Sequence, residues 1–268
     1  MLEGLQLKDS LTQCLKDLHL PTVRACYQQE ADRARQESLS YELYLAGLME
    51  AERQVRRQNR IARRLRESKL PLEKDLQSFD LKRLPSKVAA HVHALLDASF
   101  LDRTENVLAF GNPGSGKTHL LCAIGQELVL HDRRVLFTAC NLLVQELLIA
   151  KRDLTLPRVL KRLGNYDALI VDDIGYVQQN REEMEVLFVL LAERYERKSV
   201  MITSNLPFSK WQRIFKDPMT TAAAIDRLVH HSVILELNLP SFRLEQSKKG
   251  KKHPDQQPSK MRNSDREK

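Results

Sequence analysis

Eight consecutive residues, 111–118, read Gly-Asn-Pro-Gly-Ser-Gly-Lys-Thr and match the pattern G-x-x-x-x-G-K-[ST]. Glycines in such a loop let the backbone curl so that successive N–H groups point inward at phosphate oxygens. Lys117 can then reach the β- and γ-phosphates of a nucleotide, and the hydroxyl of Thr118 can ligate Mg²⁺. The loop therefore predicts phosphate binding by these residues: Gly111, Asn112, Pro113, Gly114, Ser115, Gly116, Lys117 and Thr118.

Two carboxylates, Asp172 and Asp173, directly follow the apolar run 168–171. Mg²⁺ needs hard oxygen ligands, which predicts Asp172 beside Thr118. Asp173 would orient or deprotonate the water that attacks the γ-phosphate. An apolar strand that ends in acids is common by itself, so the prediction depends on its combination with the glycine loop.

An amide and an arginine are the remaining candidates for chemistry. Asn205 ends a further apolar run, where it would hold the lytic water; the alternative is a strand-end turn, in which Asn is favoured. Arg227 is the candidate for an arginine supplied to a neighbouring subunit's ATP, because guanidinium matches the spread charge of a transferring phosphoryl group. An intrachain ion pair with Asp226 or Glu236 is the alternative for Arg227, and Arg243 is a second candidate for the same role.

The elements that must position these side chains alternate between strand and helix from residue 106 to 238. The predicted strands are 106–110, 135–138, 168–172, 199–204 and 232–237, and the predicted helices are about 117–130, 141–151, 157–163, 181–197 and 219–230. Five strands with interposed helices predict a parallel sheet covered on both faces. Ligands then bind beyond the carboxyl ends of the strands.

The first 100 residues read as almost entirely helical, with prolines only at positions 21, 71 and 85. Helices are predicted over about 5–19 and 22–37, and a longer one begins after Ser40, a plausible N-cap, and runs to about residue 68. The segment 71–105 is expected to form a connector that includes a short helix before the first strand.

The long predicted helix carries six arginines in its second half: Arg53, Arg56, Arg57, Arg60, Arg63 and Arg64. Four of them, at spacings of 4, 3 and 4, form one stripe about 16 Å long, which could follow several backbone phosphates of DNA. Acidic side chains at i±4 are nearly absent, which favours nucleic-acid contact over a solvated helix face or partner docking. Few aromatic residues accompany the arginines, which favours duplex over single-stranded DNA.

The net charge of +8 sits in two appendages, since residues 51–70 carry a net +6 and residues 248–268 a net +5. This distribution is typical of a protein that binds a polyanion. No apolar run reaches the roughly 20 residues of a membrane span, so no membrane partner is expected. Neither the four cysteines nor the pair His230–His231 shows metal-ligand spacing; the histidines are expected to cap or pack the last helix, and a reducing cytoplasm is the expected compartment.

Four stretches together resemble the IstB-like ATPases, the AAA+ transposition helpers of insertion sequences and relatives of the DnaC-like helicase loaders. They are the glycine loop continued through His119 and Leu120, Val-Asp-Asp-Ile-Gly-Tyr at 171–176, Thr-Ser-Asn-Leu-Pro-Phe at 203–208 with Trp211, and Asp-Arg-Leu-Val-His-His at 226–231. The similarity extends over about residues 5–247.

The resemblance implies specific roles for the residues that match the family's motifs. It implies that the loop, with His119 next to it, binds ATP, that Asp172 holds Mg²⁺ and that Asp173 is the catalytic acid. Asn205 would be the first sensor and Arg227 the finger between subunits. The second acid is Asp rather than the Glu of the wider AAA+ pattern, one methylene shorter. ATP-dependent homo-oligomers would bind double-stranded target DNA and regulate a cognate transposase.

The sequence thus predicts an α/β AAA+ P-loop NTPase with a five-stranded parallel sheet, preceded by a small all-α N-terminal domain. The expected domains are 1–70, helical and DNA- or partner-binding; 71–105, a connector; 106–246, the ATPase; and 247–268, a disordered basic tail. The expected activity is slow, regulatory ATP hydrolysis. A helicase loader is the main alternative, and a P-loop kinase acting on a small molecule is disfavoured because no lid insertion is evident.

Overall fold

The computed structural model describes residues 2–174, 181–211 and 218–241. The chain divides into two compact units, Met1–Lys69 and Leu70–Lys268. The predicted basic tail and Arg243 lie outside the described residues. In the part of the chain that is described, no helix is both long and apolar enough to cross a bilayer.

The N-terminal unit contains three helices, α1 (Leu2–Asp17), α2 (Pro21–Gln36) and α3 (Tyr41–Glu67). Proline suits the first position of α2 because its φ is already helical and its missing N–H has no partner there. Ser40 caps α3 as predicted, since its Oγ accepts a hydrogen bond from the amide of Leu43 at 3.3 Å. A small core fixes the three helices against one another, with Leu15, Val23 and Leu48 buried.

A buried carboxylate of α3, Glu52, completes the start of α2. It accepts hydrogen bonds from the amides of Thr22 (2.8 Å) and Val23 (3.2 Å), and the guanidinium of Arg56 donates to it at 2.8 Å. Burial alone would raise the pKa of Glu52, but these hydrogen bonds outweigh burial and hold the pKa below its usual range. Arg56 also donates to the carbonyl of His19 and therefore braces this junction.

The second unit is a sheet of five parallel strands in the order β2-β3-β4-β1-β5, which confirms the predicted architecture. The strands are β1 (Asn106–Gly111), β2 (Val135–Ala139), β3 (Ala168–Ile174), β4 (Ser199–Ser204) and β5 (Ser232–Leu237). The helices are α4 (Ser86–Leu95), α5 (Ser99–Asp102), α6 (Lys117–Leu130), α7 (Cys140–Arg152), α8 (Leu156–Gly164), α9 (Arg181–Arg194) and α10 (Pro218–Val229), with 3₁₀ turns at Leu81–Arg83 and Phe208–Lys210.

Helices cover both faces of the sheet, so the central strands are apolar on both sides. In β3, Leu169 and Val171 belong to a core cluster with side chains of α7 and α9. Ile170 faces the other way and touches α6 so closely that a Cβ on Gly125 would lie 2.7 Å from its Cδ1. Burial decreases at the last residues of β1 and at Asp172–Asp173, and polar side chains collect at this carboxyl edge.

Candidate nucleotide-binding site

The glycine loop joins β1 to α6 at the carboxyl edge of the sheet. Gly111 has φ +152°, and a Cβ there would lie 2.2 Å from the carbonyl oxygen of Leu237 on β5. Gly116 has φ +97°, in the left-handed region that favours glycine. The buried hydroxyl of Ser115 has no hydrogen-bond partner among the described residues. A loop with such an unmatched polar atom fits a ligand that supplies the partner.

Lys117 is buried at the mouth of this loop, with 6% of its surface exposed. Its ammonium donates to the carbonyls of Gly111 (2.9 Å) and Asn112 (3.0 Å) and to Oδ1 of Asn205 (2.6 Å). These acceptors match the three donors of an ammonium. A phosphate oxygen that binds Lys117 must therefore replace at least one of them.

The predicted carboxylates and their partners lie next to one another. Thr118 Oγ1 donates to Asp172 Oδ1 at 2.8 Å, so the two expected Mg²⁺ ligands are already adjacent. Nδ2 of Asn205 donates to Asp173 Oδ1 at 2.9 Å. Asn205 thus links Lys117 to Asp173, and the structure brings together all five of these predicted site residues.

A bulge in β3 aims the two carboxylates. The pairing register between β3 and β4 shifts between Val171 and Ile174, and Asp173 has φ +65°. Bulges re-aim side chains at sheet ends, and Asp tolerates the left-handed conformation better than most residues. Burial and the neighbouring Asp172 raise the pKa of Asp173, while Lys117 opposes this shift. A carboxyl with a raised pKa is better suited to accept a proton.

Thr203 is a site residue that the sequence reasoning missed. Its hydroxyl, on β4, donates to Asp172 Oδ1 at 2.7 Å and accepts from the amide of Asp173 at 2.7 Å. It therefore holds both acidic residues at once. Strand alternation could have revealed it, because Thr203 and Asn205 are two residues apart and share a side of the strand.

A cavity of about 70 Å³ borders the glycine loop, lined in part by Ser78, Phe79, Ser115 and His119. The ring of Phe79 packs edge-on against His119, with ring centroids 5.2 Å apart. Nε2 of His119 lies 2.9 Å from the carbonyl of Asp75 and 3.1 Å from Ser78 Oγ. His119, predicted among the nucleotide-binding residues, therefore faces residues of the predicted connector, which belongs to the second unit.

The backbone of Arg227 lies in the last turn of α10, just before β5 and towards the amino edge of the sheet. It precedes β5, whose first residue pairs with Asn106 at the start of β1. A six-residue strand separates the two edges by roughly 17 Å. The guanidinium is stacked over the ring of Phe188 at 4.6 Å, and its buried Nη1 has no hydrogen-bond partner among the described residues. No ion pair with Asp226 or Glu236, the predicted alternative, occurs within the described part of the chain.

The six arginines lie on α3 as predicted, and three of them have carboxylate partners on the same helix. Arg53 pairs with Glu50 at 2.7 Å, Arg56 with Glu52, and Arg63 with Glu67 at 3.9 Å. Glu50, Glu52 and Glu67 are the acidic residues that the sequence places near the six arginines, and i,i+3 and i,i+4 spacings bring each of them to one arginine. Of the others, Arg57 is exposed, whereas Arg60 and Arg64 are half-buried.

The five-stranded parallel sheet, the glycine loop and the acidic pair define a P-loop nucleotide-binding protein of the AAA+ class. Among solved structures, the DnaC helicase loader has a similar fold, with a TM-score of 0.51 and 17% identity over 61% of this chain and 96% of that one. The chain belongs to the family described as IstB-like ATP binding protein, which matches residues 13–250.

Two relatives show the same relationship at the level of the whole chain. An insertion-sequence ATP-binding protein, y4iQ/y4nD/y4sD of Sinorhizobium fredii, is 43% identical over 89% of this chain and 80% of its own length. The ATP-binding protein of insertion sequence IS21 from Pseudomonas aeruginosa is 38% identical over 81% and 82%. The resemblance inferred from four motifs is confirmed, and the expected class, an ATPase of the AAA+ superfamily, agrees with this family.

Proposed function

We propose that this protein is an ATP-dependent DNA-binding ATPase that oligomerises on double-stranded target DNA and regulates a partner transposase. The observation that carries the proposal is the hydrogen-bonded chain from Lys117 through Asn205 to Asp173, beside the Thr118–Asp172 pair. The relatives are named as ATP-binding proteins of insertion sequences, which supports a role in transposition.

ATP would bind with its phosphates on the glycine loop and its base in the cavity beside Phe79. Thr118 and Asp172 would hold Mg²⁺, which supplies charge neutralisation at the β- and γ-phosphate oxygens. Asp173 would orient or deprotonate the attacking water, and Asn205 would hold that water against the γ-phosphate.

Asn205 also offers a physical basis for a nucleotide-dependent switch. Its amide oxygen accepts a hydrogen bond from Lys117, and its amide nitrogen donates one to Asp173. A γ-phosphate would compete with Asn205 for Lys117, since the ammonium has only three donors. Release of Asn205 would free Asp173 for water and signal the bound state to β4. Nucleotide occupancy would thereby bias the conformation of the chain.

Arg227 would act on the nucleotide of a neighbouring subunit. Its guanidinium is stacked over Phe188, and its buried Nη1 lacks a hydrogen-bond partner among the described residues. Rotation of the side chain away from Phe188 would present the guanidinium to the phosphate loop of a second copy. Completion of each site by a neighbour makes hydrolysis depend on assembly.

A mixing experiment tests this arrangement. Asp173→Asn should bind ATP without turning it over, and Arg227→Ala should retain its own binding site but lack the arginine. Each variant alone should be inactive, whereas an equal mixture should regain turnover, because some interfaces combine an intact Asp173 with an intact Arg227. A mixture that stays inactive while both variants co-assemble would contradict the proposal.

A helicase loader remains the second candidate, because the first half of α3 carries exposed apolar side chains. Tyr41 is 90% exposed, Leu45 is 56% exposed and Met49 is 41% exposed, all on one face of the helix. Such a face suits a protein partner better than a phosphate backbone. Copurification with a replicative helicase, together with no binding to duplex DNA, would favour this second function.

A further inference from the structure

Outside the nucleotide site, three metal-ligating side chains converge at the amino edge of the sheet. Glu196 lies in the turn after α9, and His230 and His231 lie in the turn after α10. One ligand atom from each residue lies within 4.8 Å of the other two, and all three side chains are exposed. We infer that these residues form a binding site for a divalent transition-metal ion of the Zn²⁺ type.

The three side chains lie near enough to one another to converge on a single ion. The two imidazole rings meet edge-on, with centroids 4.3 Å apart and an angle of 73° between their planes. Ligand atoms of a tetrahedral zinc ion, with bonds of about 2.0–2.1 Å, are separated by about 3.3 Å. Exposed side chains can close the remaining distance by small rotations, because no packed neighbour needs to move with them.

Tyr195 provides the outer support that metal-ligating histidines require. Its hydroxyl lies 3.4 Å from Nδ1 of His230. A partner on Nδ1 leaves Nε2 of His230 for the ion and fixes the ring. The cations that follow Glu196 are held elsewhere, since Arg197 pairs with Glu193 at 2.6 Å and Lys198 with Asp167 at 2.6 Å.

Two imidazoles and a carboxylate suit Zn²⁺, Co²⁺ or Ni²⁺. Three protein ligands leave a fourth position open for water or for a group from another chain. Metal binding would be a further role for His230 and His231, beyond the expected capping or packing of the last helix. Spacing along the sequence could not show it, because the third ligand lies on another turn. A bound ion would tie the two turns together, three residues from Arg227.

Titration of the metal-stripped full chain with Co²⁺, followed by absorbance, and with Zn²⁺, followed by calorimetry, tests this inference. One ion should bind per chain at this site. His230→Gln and His231→Gln should each weaken its binding at least tenfold, and Glu196→Gln should weaken it severalfold. His131→Gln, which removes another exposed histidine, is the matched control and should leave the affinity unchanged.

Thermal unfolding gives a second measurement and a check on folding. Zn²⁺ should raise the Tm of the wild type and of His131→Gln, but not that of His230→Gln or His231→Gln, whose metal-free circular dichroism should match the wild type. Equal affinities in the wild type and in the double variant without both histidines would overturn the assignment. An affinity loss in His131→Gln as large as in His230→Gln would do the same.

Discussion

The nucleotide site and the arginine-bearing half of α3 both concentrate charge, but they hold it in different ways. Around the glycine loop, Lys117 contacts groups from other parts of the chain, namely the loop carbonyls and Asn205 after β4. Along α3, Arg53 and Arg63 form ion pairs with carboxylates on the same helix, Glu50 and Glu67. A site for chemistry needs convergence from several elements, whereas a polyanion surface needs only charge at a regular spacing.

The largest expected effect on ATP hydrolysis comes from substitution of Asp173. Asp173→Asn should lower ATP hydrolysis by roughly 10²- to 10⁴-fold, the usual contribution of a general base. Nucleotide affinity should change little, because Lys117 and the loop remain intact. Phosphate release under saturating ATP, with nucleotide binding measured separately, checks this. Loss of binding in parallel with turnover would mean that Asp173 holds the site together rather than acting on water.

The pH dependence of the same residue supplies a second test. Burial and Asp172 raise the pKa of Asp173, so the folded state favours the neutral acid, and its stability falls as pH rises through that raised pKa. Asp173→Asn should therefore have a higher Tm than the wild type at neutral pH. The difference should vanish at a pH low enough to protonate the carboxyl in both folded and unfolded chains. A difference that is independent of pH would contradict this cause.

A smaller effect is expected at Thr203, which orients both acids without facing the nucleotide itself. Thr203→Val keeps the side-chain shape but removes both hydrogen bonds, and should lower turnover by about 10- to 100-fold, as outer-shell changes do at metal sites. It should also raise the Mg²⁺ concentration needed for half-maximal rate. Thr203→Ser, which keeps the hydroxyl, should have nearly the turnover and the Mg²⁺ requirement of the wild type. Equal rates in the Val and Ser variants would remove Thr203 from the site.

Neutralising arginines of α3 should change the salt dependence of DNA binding. Neutralising Arg57, Arg60 and Arg64 together with Gln should reduce the slope of log K against log salt by about 2–3, since each phosphate contact contributes about 0.9. Fluorescence anisotropy with duplex DNA at several salt concentrations measures the slope. The matched control replaces Arg24, Arg33 and Arg35 of α2, the same change of charge away from the stripe. Equal slopes in the two triple variants would contradict the assignment.

The smallest expected effect is the loss of stability on replacing Glu52, the carboxylate that pairs with Arg56. Because the folded pKa of Glu52 is depressed, its stabilisation is present above the unfolded pKa and is lost as pH falls through the folded value. Glu52→Gln should destabilise the N-terminal end of α2 by about 1 kcal/mol at neutral pH and less in acid. Hydrogen exchange over residues 20–36 measures this. An unchanged exchange rate in Glu52→Gln would contradict the capping role.

The sequence predicted the nucleotide site better than it predicted the surroundings of that site. Consecutive motifs such as the glycine loop and Asp172–Asp173 have fixed local geometry, so their positions follow from the order of strands and helices. Thr203 and Glu52 were missed because each acts on residues some 30 positions away, and such partners depend on packing. His230 and His231 were interpreted from spacing alone, which does not include Glu196.

The arginines of α3 show a related limit of the sequence pattern. The sequence gives the spacing of charges, and spacing placed Arg53, Arg57, Arg60 and Arg64 on one face of a helix. The spacing does not show which of these arginines form hydrogen bonds or ion pairs with other groups of the same chain. In the sequence pattern, Arg56 lies beside the stripe of four arginines. In the structure, it donates hydrogen bonds to Glu52 and to the carbonyl of His19.

The central proposal is that nucleotide bound at Lys117 controls assembly of the protein on DNA. Mass photometry of the full chain with duplex DNA, in ATP, in ADP and without nucleotide, tests it most directly. Assembly on DNA should occur with ATP and should be lost in Lys117→Ala, while Lys161→Ala on exposed α8 should behave as the wild type. DNA-bound assemblies of the same size in all three nucleotide states would contradict the account.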